Sequence, residues 1–90
     1  MQRFQDDDHG YLAWLQAHPT GYVVNAERRA TASYLVLHKV SCGTISGRPA
    51  NGQHWTKHYV KLCSTNRAEL ASWATQKVGG QLKPRGLCNP

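Results

Sequence analysis

Ninety residues, 40% hydrophobic and 18% charged, suffice for one small domain around a single modest core and exclude wholesale disorder. No apolar run approaches the roughly 18 residues of a membrane span, and the polar start MQRFQDDDHG has no apolar stretch of a secretory leader, so a cytoplasmic chain with reduced cysteines is expected. The net charge of +6 is unevenly spread: Asp6, Asp7 and Asp8 cluster near the start, while from Arg28 onward ten Lys and Arg face one acid, Glu69, a balance that favours polyanions such as nucleic acid.

In chain order, residues 1–7 are expected to be flexible. DDDHGYLAWLQAH, residues 6–18, predicts a short helix. Asp6 to Asp8 suit its N-terminus, Tyr11, Leu12 and Leu15 form its apolar face, and His18-Pro19-Thr20-Gly21 stops it. GYVVN reads as a short strand, AERRATAS as a connection exposing Arg28 and Arg29 at its tip, and SYLVLHKV as a second strand, together an antiparallel hairpin. SCGTISGRPANGQ is a loop that carries Arg48.

HWTKHYVKLC alternates as a third strand, with Trp55, Lys57, Tyr59, Lys61 and Cys63 on one face. STNRAELASWATQKV is the clearest helix. Asn66 and Glu69 have capping-box spacing, Leu70, Trp73 and Ala74 form the inward stripe, and Gly79-Gly80 ends it. The tail QLKPRGLCNP is a loop or a last short strand. The expected fold is a single α+β domain over residues 1–90: an N-terminal helix, a three-stranded antiparallel meander, and a C-terminal helix packed on the sheet.

Two constellations carry chemistry. Trp55, Lys57, Tyr59 and Lys61 alternate aromatics with lysines, a pattern that stacks bases and neutralises phosphates together, flanked by Arg28, Arg29 and Arg48. The same residues also fit a half-buried strand whose aromatics face the core and whose lysine stems run outward. His38, Cys42, Cys63 and Cys88 supply four N/S donors, the number that a closed zinc site needs. There is no CxxC pair, and on spacing alone the favoured reading is two small buried hydrophobes and a core histidine.

The order strand-His-x3-Cys, strand, capped helix, then PRGLCNP resembles the metal-binding module of Ada-type DNA-repair proteins and its nuclease-appended relatives, small bacterial zinc modules. The likeness covers residues 34–90. It implies zinc as cofactor, with His38 as first ligand, Cys42 as second, Cys88 as last and Pro90 as the trailing proline. The third ligand position falls on Arg85, which cannot bind zinc, so Cys63 is the substitute the chain offers. In such modules the first cysteine accepts a methyl group from DNA. The matching residue here is His38, an imidazole rather than an activated thiolate, so methyl transfer is not expected and attachment to nucleic acid is what carries over.

Carboxylates are nearly absent after Glu27, so a two-metal hydrolytic site has no ligands, and no catalytic residues are assigned. The expected function is a non-catalytic nucleic-acid-binding module, with DNA ahead of RNA. The rival is an adaptor domain that docks on an acidic partner protein.

Overall fold

The structure, a computed structural model, describes residues 1–41, 55–57 and 59–84. Its centre is β2 (Tyr22–Glu27), hydrogen-bonded on one side to β3 (Leu35–Lys39) and on the other to β4 (Tyr59–Ser64), both antiparallel. β1 (Gln2–Phe4) adds outside β4, and β5 (Lys83–Pro84) adds parallel to β3, giving a five-stranded mixed sheet of order β1-β4-β2-β3-β5. Both edge strands are very short and one ends in a proline, which blunts edge-to-edge pairing.

This corrects the expected three-stranded meander, although the class is α+β as expected. The third predicted strand pairs with the first, not with the second. Sequence-adjacent strands usually neighbour each other, but two features override that here. The connection 41–58 is long enough to cross the sheet, and its last residues are tied to the N-terminus of helix α1 (Asp8–Ala17). Asp8 accepts from the Trp55 and Thr56 amides at 3.0 and 2.7 Å and from the Thr56 hydroxyl at 2.7 Å. The Thr56 hydroxyl oxygen and carbonyl in turn accept from the amides of Asp7 and Asp6. This clamp delivers the chain to β4 between β1 and β2. It also explains why Gln2–Phe4, in the stretch read as flexible, forms an edge strand: its partner β4 lies beside it.

The sheet is covered on both faces. Val23, Cys63 and Phe4 pack with Tyr11, Trp14 and Leu15 of α1, whereas the adjacent Val24 and Leu62 pack on the opposite face with Leu70 and Ala74. The latter two belong to α2 (Arg67–Trp73) and its π-helical continuation Ala74–Val78. Consecutive residues in separate cores are what strict strand alternation gives when both faces are apolar.

Each helix differs in detail from its expected form. In α1 the cap is Asp7, which accepts from the Gly10 amide, and the inward residue is Trp14 rather than Leu12, which is 38% exposed. Trp14 also packs against Gly21, where an added Cβ would sit 2.7 Å from the indole. In α2, Asn66 caps through the Ala68 amide. The Glu69 carboxylate does not close the capping box but binds the Met1 ammonium at 2.6 Å, and that pairing with the Ser64 hydrogen bond holds it below the usual carboxylate range. Gly79 ends the helix at φ 79°, the left-handed conformation that favours glycine.

Candidate nucleic-acid interface

α1 packs on Phe4, Val23 and Cys63 on one face of the sheet. Under it runs a closed aromatic row, with Phe4 and Trp55 each 6.0 Å from the Tyr11 ring. On the same face lies a second pair. Tyr34 and Tyr59 lie 5.4 Å apart at a 35° tilt, both half-buried. The register explains the meeting. Tyr59 is the partner of Glu27, and Tyr34 immediately precedes Leu35, the partner of Ala26, so the two rings close over the end of β2 from its two neighbours.

Lys61 stands between the closed and open halves. Only 4% exposed, it places its ammonium 6.0 Å from the ring centres of both Tyr11 and Tyr59. Lys61 Nζ donates to Asn25 Oδ1 at 2.6 Å and to the Trp55 carbonyl at 2.9 Å, and Asn25 Nδ2 donates to the Tyr34 hydroxyl at 3.1 Å. Both of these acceptors are neutral. Burial is the largest effect on the group and pushes its pKa down to about 8, against smaller upward pulls from Cys63 and Asp8. Burial also pushes Tyr11 upward and the Cys63 thiol up to about 12.

Four cations gather at the same end. Arg28 forms a two-pronged pair with Asp6, at 2.9 and 2.8 Å, and donates to the Lys57 carbonyl at 2.6 Å. The pair holds Asp6 below the usual carboxylate range and Arg28 above its own ordinary value. Arg3 reaches the Arg28 carbonyl at 3.0 Å. Arg29 and Lys57 are exposed. The neighbouring carboxylate, Glu27, accepts from the Thr31 hydroxyl.

The seven residues expected to touch nucleic acid therefore separate. Tyr59, Arg29 and Lys57 lie at the open end. Arg28 is there too, but its guanidinium is spent on Asp6 and on holding the Lys57 backbone. Trp55 is buried in the closed row and Lys61 beneath the tyrosines, so neither belongs to an exposed strand stripe. Trp55 and Lys57 precede β4 rather than lying in it, which is why the alternation of side chains holds only from Tyr59 through Lys61 to Cys63. Arg48 lies outside the described residues. Tyr34, Asn25 and Arg3 were missed. The signal for Tyr34 was available: an aromatic near the start of the second predicted strand, at the mouth of the hairpin.

For the expected zinc site, Cys42 and Cys88, with Arg85 and Pro90, lie outside the described residues. His38 and Cys63 are both partners of Val23, on its two sides, so they share the α1 face two strand spacings apart, roughly 10 Å between backbones. Among the described residues no three His, Cys, Asp or Glu side chains converge. In kind, an imidazole and a thiol are zinc donors. Cys63 is protonated in this setting, so binding would release that proton.

Compared with protein-family models, with curated proteins and with solved structures, the chain has no match. The likeness to Ada-type modules thus rests on its motif residues, and function is read from the site. No helix among the described residues is long and apolar enough to cross a membrane.

Proposed function

We propose that this domain is a non-catalytic nucleic-acid-binding module whose contact surface is the open end of the sheet. The observation that supports it is the half-buried Tyr34–Tyr59 pair bordered by Arg3, Arg28, Arg29 and Lys57. Aromatic faces take bases and the surrounding cations take the phosphates. Among the described residues from Arg28 onward, Glu69 is the single acid, and its carboxylate is engaged by Met1. DNA is the first ligand to test, as the motif likeness suggests.

Anisotropy titrations of a fluorescent oligonucleotide at several salt concentrations test this. The Arg29→Ala, Lys57→Ala double variant is expected to bind more weakly and to flatten the slope of log affinity against log salt by about 1.5, the release of two counterions. A folded double variant with an unchanged slope would place the contact elsewhere. Absence of any salt-dependent binding by the parent would favour the adaptor reading instead.

Zinc enters the proposal as a structural ion only. His38 and Cys63, with Cys42 and Cys88, would hold it, and it would supply a crosslink that stabilises the C-terminal half. Elemental analysis of protein purified without chelator is expected to find one zinc per chain, with chelator lowering the melting temperature. Zinc-free protein with a melting temperature indifferent to chelator would leave His38 and Cys63 as packing residues.

A further inference from the structure

The nucleic-acid reading leaves open which form of the polymer fits, and the geometry of the tyrosine pair bears on that choice. At 5.4 Å and 35° the two rings touch each other, so no base enters between them; a ligand meets their outward faces. Stacking on such a face requires a base whose own face is free. In a duplex both faces of every internal base pair are covered by neighbours, whereas a single strand can splay its bases onto aromatic rings.

The pair is also braced from below. A continuous chain runs from the Tyr34 hydroxyl through the Asn25 amide and the Lys61 ammonium to the Trp55 carbonyl, with links of 3.1, 2.6 and 2.9 Å. It fixes Tyr34 before any ligand arrives, so little ordering is left to binding. The cations belong to the segments that flank the rings, Lys57 two residues before Tyr59 and Arg28 next to Glu27, the strand partner of Tyr59. Arg28 holds the Lys57 backbone, and Arg3 holds the Arg28 backbone, which ties these charges to the Tyr59 end of the pair. That arrangement separates a base-stacking surface from a backbone-binding rim.

Resting on the nucleic-acid reading above, we infer that the domain recognises an unpaired stretch of nucleic acid, one or two bases of which stack on Tyr34 and Tyr59 while the flanking phosphates meet Arg29 and Lys57. The ligand chemistry is a free nucleobase face on a phosphodiester strand, which single-stranded DNA and single-stranded RNA both offer.

The test uses four labelled probes of one pyrimidine-rich sequence: single-stranded DNA, single-stranded RNA and the corresponding DNA and RNA duplexes. Titrations use the full chain and the variants Tyr34→Ala, Tyr59→Ala and Tyr34→Phe, each checked for folding by its thermal transition. Single strands are expected to bind at least about tenfold more tightly than duplexes. Each alanine variant should lose about tenfold on single strands, the scale of one stacked base, and little on duplexes. Tyr34→Phe keeps the ring face and should keep the preference. The DNA and RNA arms show which source is preferred.

Equal affinity for single strands and duplexes, or alanine variants that weaken both alike, would overturn the inference while leaving nucleic-acid binding in place. If no probe binds in a salt-dependent way, the nucleic-acid reading itself fails, and this inference with it.

Discussion

Asp8→Ala is expected to destabilise the protein by about 3 kcal/mol, more than a surface carboxylate at a helix start normally would. The reason is the load on that one group. Its two oxygens accept from the Trp55 amide, the Thr56 amide and the Thr56 hydroxyl, and Thr56 is fully buried. Removing the carboxylate leaves three part-buried donors without their acceptor, two of them on the buried Thr56, and hydrogen bonds to a charged acceptor are the stronger kind. The neighbouring cap is the internal comparison. Asp7 accepts from a single exposed amide, that of Gly10, so Asp7→Ala should cost about 1 kcal/mol. Urea unfolding of both variants checks this. Equal, small losses would mean that the 55–57 segment is not held by Asp8. Because the same clamp leads into β4, Asp8→Ala should also disturb Tyr59 and weaken ligand binding.

The second large effect is in the pH profile and belongs to Lys61. Its folded value of about 8 lies below the ordinary 10.5. Between those values the unfolded chain holds a proton that the folded chain has released, so this group makes stability rise with pH across that window. Below pH 8 the full cost of the buried ammonium is present, of order 3 kcal/mol. In the zinc-free chain Cys63 has the opposite sign. Its thiol, ordinarily near 9, is pushed up to about 12, so the folded chain keeps a proton that the unfolded chain loses, and stability falls as pH climbs from 9 to 12.

Together the two predict a rise on the order of 1 kcal/mol between pH 7 and 9, near-cancellation to about 10.5, then a fall. Lys61→Met, similar in volume and uncharged, should erase the rise and keep the fall. Urea unfolding of chelator-treated protein at pH 7, 8, 9, 10, 11 and 12 checks it. The same rise in Lys61→Met would show that another group causes it. In zinc-loaded protein Cys63 is already a thiolate, so there the fall above pH 10.5 should be absent.

Much of the local structure was legible because short-range chemistry writes it. The acidic start and the His18-Pro19-Thr20-Gly21 stop marked α1, Asn66 marked the start of α2, and the Gly79-Gly80 pair marked its end. The alternation of Tyr59, Lys61 and Cys63 gave the correct common face. The inward residue of α1 was not legible. Leu12 and Trp14 are both apolar, and which of them is buried depends on where Gly21 lets the indole pack. The basic site was only half legible for a similar reason. Lysines 57 and 61 look alike in sequence, yet one is exposed and the other lies beneath the tyrosines.

By itself, the sequence determined the α+β class, the two helices, the three main strands and the cationic character of everything after Glu27, since propensity, capping and charge are properties of neighbouring residues. Only the tertiary structure decided that β4 lies between β1 and β2, that Arg28 is paired with Asp6 and that Tyr34 joins Tyr59 over the end of β2. Each of these unites residues more than twenty positions apart. Strand order and long-range side-chain partners follow from which surfaces bury together, and hydrogen bonds such as those from Trp55 and Thr56 to Asp8 leave no periodic trace in the chain.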